Sequence, residues 1–357
     1  MRHNMTIMLF TILILFSIGS IALYSLSFAR EYYLSMNSNV FTKYITYIIL
    51  GTFALLIFIY FTPKNLEKYY MLFYILSVVL LIFPLFFRPI NGARRWIIFG
   101  ESTFQSSELS KIFLLLFYAT YIKKNSQKMS SFSHGLIIPL LLLIPHISLL
   151  IAEPDLSTSV LIFLTILSLL YFGGAKLLGI LSILGSMGGL AIFSIKYGFL
   201  HSYQLSRLKN FLEGQISWQL QTALNAIKSG GIIGSGPALG TLYIKVPAAE
   251  SDFILAIVGE TLGYIGIFVL ISSYIVLAFS LIRVSGEIKN DILRYFTWGY
   301  ATLMLFHVVF NVGVVSGVFP VTGIPLPFVS SGGSALLSFL SGLGIIISGI
   351  LNYQQEI

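Results

Sequence analysis

Ten stretches of this chain are apolar over about the length that a lipid bilayer demands, and that pattern leaves very few folds open. They lie near residues 7–27, 43–61, 69–87, 108–122, 135–152, 156–172, 176–197, 253–283, 292–316 and 331–350. A helix needs roughly 20 residues to cross the hydrocarbon. In lipid a spanning segment also has to satisfy its backbone hydrogen bonds internally, which selects helices. With 57% hydrophobic residues, 10% charged residues and a mean hydropathy of +0.91, the composition excludes a water-soluble globular domain. The expected fold is an all-α integral membrane domain of ten transmembrane helices, spanning 1–357 as one unit, with a large outer loop at 198–252 between the seventh and eighth. The first stretch is too long, and too poor in small residues at its end, for a removed signal peptide, so it is expected to stay as a helix.

Orientation follows from the lysines and arginines. Lys64, Lys68, Lys123, Lys124, Lys128, Lys176, Arg283 and Lys289 fall in alternate short loops, which places those loops, and both termini, in the cytoplasm. On the other face the short loops carry chiefly Arg30, Arg88, Arg94 and Arg95. A net charge of +8 suits anionic lipids or an anionic substrate, and no basic helix or aromatic platform points to nucleic acid. The absence of cysteine removes disulfides, thiol catalysis and cysteine-held metals.

The acids are the informative exceptions. Glu31, Glu101, Glu108, Glu153, Asp155, Glu213, Glu250, Asp252 and Glu260 fall on or near the outer side, leaving Glu67, Glu287, Asp291 and Glu356 inside. A carboxylate taken into hydrocarbon costs roughly 2.5 kcal/mol or more, so an acid at such depth marks a functional site by default. Asp252, at the entrance to the apolar run that starts at Phe253 and flanked by Glu250 and Glu260, is the first candidate.

Other candidates each carry a plainer reading. Glu108 and Lys111 share a helical face three residues apart, as a capping acid with a local ion pair or as part of a site. Lys111 needs a partner a turn inside its helix, and Asp155 in EPDLSTS at 153–159 is at a depth to supply it, although an aspartate there also serves as a helix start. Arg94 and Arg95 beside Trp96 suit a membrane-surface anchor or recognition of phosphate by the guanidinium fork, with Arg207 and Lys209 adding to the outer field. His307 and Asn311, four residues apart, read foremost as interhelical hydrogen-bonding groups, and His146 as a packing residue. The run WQLQTALNAIKSGG at 218–231 has helical amphipathic spacing and a glycine stop. SGGIIGSGPALG at 229–240 lacks the ending of a phosphate-binding loop and reads as a turned segment that shapes a groove. PVTGIPLPFVSSGGS at 320–334, broken by Pro325 and Pro327, reads as an outer hairpin folding back into the bundle.

Taken together and in order, NGARRWI at 91–97, FQSSELSK at 104–111, EPDLSTS, the QTALNAIKSGG run ending at 231, PAAESDFILAIVGE at 247–260 and PVTGIPLPFVSSGGS resemble the signatures of the FtsW/RodA/SpoVE family, the SEDS peptidoglycan glycosyltransferases. The resemblance implies ten transmembrane helices in the bacterial cytoplasmic membrane and polymerisation of lipid II into glycan at its outer face. It implies as partners a class B penicillin-binding protein acting as transpeptidase, and the other proteins of the divisome or elongasome. Asp252 occupies the position of the family's essential aspartate, while Glu108, Lys111 and Asp155 fall on further motif positions. The sequence departs at Ser106 (usually Pro), Glu153 (Gln), Ser157 (Gly), Thr261 (a second Glu) and Ser331 (Tyr). Glu153 places a second acid beside Asp155, an arrangement expected to raise the pKa of Asp155 where both are buried. NGARRWI and the ESDF neighbourhood look more like the division or sporulation branch and PVTGIPLPF more like the elongation branch, with the balance leaning to the former.

Residue chemistry supports a matching mechanism. Joining a sugar hydroxyl to an anomeric carbon that bears pyrophosphate calls for a base on the hydroxyl and charge neutralisation on the leaving group. Asp252 is expected to be that base in one inverting displacement. Arg94, Arg95, Arg207, Lys111 or a divalent cation (Mg or Mn) would neutralise the pyrophosphate, with Glu250 as a metal ligand or local field. A lipid II flippase is the competing class, but it would need polar groups reachable from both faces, whereas the embedded acids gather at one end. A structural scaffold would leave Asp252 without a purpose.

Overall fold

The computed structural model describes residues 2–60, 63–90, 92–100, 102–196 and 217–355. Arg207, Lys209 and Glu213, and with them much of the outer loop, lie outside these residues, as does Glu101. In chain order the helices are α1 (Arg2–Leu34), α2 (Val40–Ile59), α3 (Pro63–Lys68), α4 (Tyr70–Ile82), α5 (Ser106–Lys124), α6 (Ile138–Ala152), α7 (Leu156–Phe172), α8 (Leu177–Lys196), α9 (Trp218–Gly230), α10 (Ile254–Glu287), α11 (Asp291–Val315) and α12 (Gly333–Gln355). Each apolar stretch of the sequence coincides with one helix, and the protein is an all-α membrane protein. Six helical segments are long and apolar enough to cross a membrane by length and composition. The shorter apolar helices at 70–86, 156–172 and 177–188, and polar-headed α5, fall outside that set among the described residues.

The bilayer explains a surface that would be untenable in water. Phe10, Ile49, Phe53, Phe268 and Phe279 are each more than half exposed on the long helices, and they face the lipid side of the bundle. Inside, α1 packs along α10, α2 along α12, and α11 against both α5 and α7. Close approach depends on small residues, because lipid offers no hydrophobic drive between helices. A Cβ at Gly344 would stand 2.4 Å from the Leu55 carbonyl, so the α2–α12 seam admits only glycine there, and one at Gly51 would stand 2.5 Å from Leu340 Cδ1, which would have to shift.

Two departures from a plain bundle position the site. The outer segment after α4 contains a hairpin with no counterpart in the sequence reading: β1 (Trp96–Phe99) pairs antiparallel with β2 (Ser102–Gln105), Trp96 opposite Gln105 and Phe99 opposite Ser102. Aromatic and β-branched residues flank a turn at Gly100, whose φ of +58° favours glycine. The second departure is a break inside α10 at Gly263, where φ is +69° and ψ −168°. The glycine-rich segment after α9 fills this break with backbone hydrogen bonds. Tyr264 N donates to Gly231 O and Ile265 N to Ile232 O, while Ser235 N and Gly236 N donate to the carbonyls of Glu260 and Thr261. That segment therefore repairs a helix; it is not among the residues that line the outer cavity. The amphipathic run forms α9 as expected, with Ser217 capping Leu220 N and Leu220, Ala223, Ala226 and Ile227 buried.

Glu260 belongs to the same repair. Its carboxylate accepts from the backbone N–H groups of Thr241, Leu242 and Tyr243 at 2.8, 2.9 and 2.7 Å. Three amide donors satisfy a buried carboxylate well, so Glu260 anchors the chain and takes no place at the cavity.

Candidate functional site

A cavity of about 1390 Å³ opens at the end of the bundle where the outer segments meet. The first turns of α2 and α7, the β-hairpin, the 247–253 segment and the 320–335 hairpin enclose it. Its charged lining residues among those described are Lys43, Arg95, Glu250 and Asp252. A smaller groove of about 550 Å³ adjoins it, sharing Lys43, Tyr47 and Thr103 and reaching Leu50 on the lipid side of α2 and Phe104.

Asp252 is half-buried on the cavity wall, one residue before the Phe253 cap of α10. Its Oδ2 lies 3.6 Å from where a Cβ on Gly323 would stand, so the 320–334 hairpin forms the surface against its carboxylate. Asp252 N donates to Ala248 O at 3.0 Å, and Ala248 itself holds a positive φ of +53°, uncommon for a side-chain-bearing residue and typical of places where the surroundings fix the backbone. Glu250, two residues earlier, is paired with Arg30 at the end of α1, 2.8 Å away. That pair ties α1 to the Asp252 segment and neutralises Glu250, which fits a local field role better than a ligand role.

Arg95 and Arg94 part company. Arg95 lines the cavity, donates to the carbonyls of Glu153 (3.2 Å) and Pro154, and stands 3.7 Å from Asp155 Oδ1. Arg94 is exposed, donates to Leu85 O at 3.2 Å and is not among the lining residues. Along an extended strand entry, neighbouring side chains point to opposite sides, so one arginine of the pair is turned in and the other out.

Asp155 is buried and does two jobs. It caps α7, accepting from Thr158 N at 3.3 Å and Thr158 Oγ1 at 2.9 Å, and it holds Arg95 at the cavity edge with Gln105 Nε2 3.4 Å away. It does not pair with Lys111 as the depth argument expected. Lys111 Nζ instead meets Glu108 Oε1 at 2.8 Å and His307 Nε2 at 3.1 Å, all three side chains buried below the cavity. Helical spacing puts Glu108 within reach at once, and α11 brings His307. His307 Nδ1 lies 3.1 Å from Pro325 O, so it carries the proton and Nε2 accepts from the ammonium. His146 similarly joins Ser77 Oγ at 2.7 Å across helices.

Glu153 is fully buried, and neither carboxylate oxygen has a hydrogen-bond partner among the described residues. Burial first, then the neighbouring Asp155, pushes its pKa up to about 8, against the opposing pull of Arg95. The proximity of the two acids thus acts on Glu153.

Among the described residues no three His, Cys, Asp or Glu side chains converge to hold a metal ion. Two carboxylates, Glu250 and Asp252, line the cavity, a set that a cation held largely by substrate phosphates and water could use. Sequence reasoning passed over Lys43, although its place a few residues inside the outer end of α2 is the signal that singled out Lys111, and it passed over Gln105, which lies inside a motif but bears no charge.

Comparisons with known proteins agree on one family. Residues 5–355 match the FtsW/RodA/SpoVE family model, described as cell cycle protein. The chain is 32% identical over 281 residues to a probable peptidoglycan glycosyltransferase FtsW of Trichlorobacter lovleyi, covering 77% of this chain and 73% of that protein. It is 32% identical over 312 residues to the peptidoglycan glycosyltransferase MrdB of Escherichia coli K12, covering 84% and 83%. Among solved structures, one described as showing structural coordination of polymerization and crosslinking by a peptidoglycan synthase complex superposes with a TM-score of 0.79 at 25% identity over 97% of this chain and 98% of that one. A mutant of the rod shape determining protein RodA of Thermus thermophilus superposes with a TM-score of 0.71 at 25% identity over 97% of each chain.

Proposed function

The chain belongs to the FtsW/RodA/SpoVE family, and from that premise we infer that it is a membrane-embedded peptidoglycan glycosyltransferase. Its substrate in this reading is lipid II, polymerised at the outer face of the bacterial cytoplasmic membrane with both termini in the cytoplasm. A class B penicillin-binding protein crosslinks the product. Relatives carrying the FtsW name are 29–33% identical to it and the MrdB of Escherichia coli K12 32%, so division and elongation are both open to it.

The observation that carries the mechanism is the placing of one half-buried carboxylate, Asp252, on the wall of a cavity whose other charges include Arg95 and Lys43. Asp252 removes the proton from the acceptor sugar hydroxyl as that oxygen bonds to the donor's anomeric carbon. The bond from that carbon to the diphosphate oxygen breaks on the opposite side, with inversion, and the electron pair leaves on the diphosphate. Diphosphate is a good leaving group and needs no second acid. It needs positive charge, which half-buried Arg95 and the exposed Lys43 supply from the cavity wall. A divalent cation, were one bound by Glu250 or Asp252 and the diphosphate, would add to this neutralisation, and no step is assigned to it. Lys111 is excluded from the leaving-group role by its burial against Glu108 and His307. The adjoining groove, open to the lipid side of α2, gives the polyprenyl tail a path to the cavity edge at Lys43.

The test is polymerisation of purified lipid II by the protein together with its cognate transpeptidase, wild type beside Asp252→Asn. Glycan from the wild type and none from a folded variant supports both the activity and the base. Equal product from both would remove Asp252 from the chemistry. Movement of lipid II in vesicles without product from either would favour a flippase.

A further inference from the structure

Three successive peptide carbonyls leading to the Asp252 carboxylate are each held by a side chain from the far end of the sequence. Glu250 O accepts from Ser331 twice, from the backbone N at 2.8 Å and from Oγ at 2.9 Å. Ser251 O accepts from Ser330 Oγ at 2.7 Å. Asp252 O accepts from Asn311 Nδ2 at 2.9 Å, and the same amide nitrogen donates to Ile324 O at 2.8 Å. Both neighbours of that nitrogen are carbonyl acceptors, which fixes the amide's orientation, and Asn311 Oδ1 is left buried without a partner among the described residues. A polar group half-used in this way costs stability, and the half in use is the donor that holds the Asp252 and Ile324 carbonyls.

The hairpin that provides the serines is itself pinned. Tyr44 donates to Phe328 O at 2.6 Å, Tyr274 donates to Pro327 O, and His307 donates to Pro325 O. Irregular backbone at membrane depth persists only where its polar groups are satisfied within the protein. Helices α2, α10 and α11 thus fix the hairpin, and the hairpin with Asn311 fixes the 250–252 peptides.

We propose that Asn311, Ser330 and Ser331 are positioning residues for glycan transfer, holding the Glu250–Asp252 backbone so that the Asp252 carboxylate meets the acceptor hydroxyl in reactive geometry. This rests on the reading of Asp252 as the base. A displacement of about 1 Å at a reacting group costs roughly a hundredfold in rate.

The experiment is steady-state lipid II polymerisation by the full-length protein with its transpeptidase, for Asn311→Asp, Ser330→Ala, Ser331→Ala and Asp252→Asn. Asn311→Asp is isosteric but sets a carboxylate oxygen against two carbonyls. Asn311→Asp and Ser330→Ala are expected to lower kcat by roughly tenfold to a hundredfold with KM unchanged. Ser331→Ala is expected to do less, since its backbone N–H still donates. Wild-type kcat in folded Ser330→Ala and Asn311→Asp would overturn the proposal, as would a rise in KM at constant kcat. Should Asn311→Asp fail to fold, Ser330→Ala decides alone. An inactive Asp252→Asn beside fully active Ser330→Ala removes only the positioning role, whereas an active Asp252→Asn removes the base and the positioning role with it.

Discussion

Two groups of charges sit close together at one end of this bundle, and they are built on opposite principles. In the upper group Asp252, Arg95 and Lys43 border a cavity of about 1390 Å³. In the lower group Glu108, Lys111 and His307 are each at least 97% buried and close on one another within 2.8 and 3.1 Å. The charges of the upper group lie along open space, Arg95 while also bonded to the Glu153 and Pro154 carbonyls and close to Asp155. Charges meant for the fold are consumed head to head, because an isolated ion in a low-dielectric interior is too costly to keep. Family-motif membership does not separate the two kinds, since FQSSELSK contains a pair of the second kind and PAAESDF an acid of the first.

The sharpest break of this comparison is an exchange of the two acids' fates. Asp252→Asn should abolish polymerisation, by roughly 10²–10⁴-fold as expected for a general base, and leave the thermal midpoint in detergent close to wild type. Glu108→Gln should do the reverse. Leaving Lys111 buried without its carboxylate costs about 3–5 kcal/mol, read as a lowered thermal midpoint and poor yield, while protein that remains folded keeps its KM. A Glu108→Gln protein that is stable but inactive would move the lower group into the chemistry.

Arg95 and Arg94 offer a finer cut, since they are adjacent in sequence and differ only in where they point. Arg95→Ala should lower kcat roughly a hundredfold through lost neutralisation of the leaving diphosphate, and Arg94→Ala should stay near wild type. Equal losses would mean that the outer field as a whole matters and the inward geometry does not.

A pH-dependent cut concerns Glu153, which belongs to neither group: buried like the lower one, without a hydrogen-bond partner for its carboxylate among the described residues, and beside the upper one's Arg95. Its folded pKa of about 8 stands above the ordinary glutamate value. Below the ordinary value both folded and unfolded forms are protonated and nothing is lost. Between it and pH 8 the unfolded chain releases the proton while the folded protein retains it, so stability falls with rising pH by about 1.4 kcal/mol per unit at most, and levels off above pH 8. Glu153→Gln removes that slope. Its thermal midpoint should match wild type near pH 5 and exceed it increasingly up to pH 8, and parallel curves would show that the acid is already ionised or hydrated.

Much of this arrangement was legible beforehand. Apolar runs located the helices, because length and hydropathy are properties of contiguous residues. The prolines and glycines of 320–334 announced an irregular segment, and the depth of Asp252 marked it before any neighbour was known. Glu260 satisfied the same depth criterion, yet it anchors three backbone amides, which lie 17–19 residues away in sequence. The β-hairpin was missed because two four-residue strands leave too short a period to read.

What the sequence determined by itself is what contiguous chemistry can encode: an all-α membrane protein, helices where the apolar runs lie, acids gathered toward one end and the motifs of one family in order. Only the tertiary structure decided which charge meets which. Lys111 found Glu108 and His307 in place of Asp155, Arg95 turned inward while Arg94 turned out, and the 250–252 carbonyls found their donors 59–81 residues further on. The physical reason is range. Hydropathy and helical spacing act along the chain, whereas an ion pair or hydrogen bond is made or lost over a few tenths of an ångström, a distance that only the packing of the whole bundle can set.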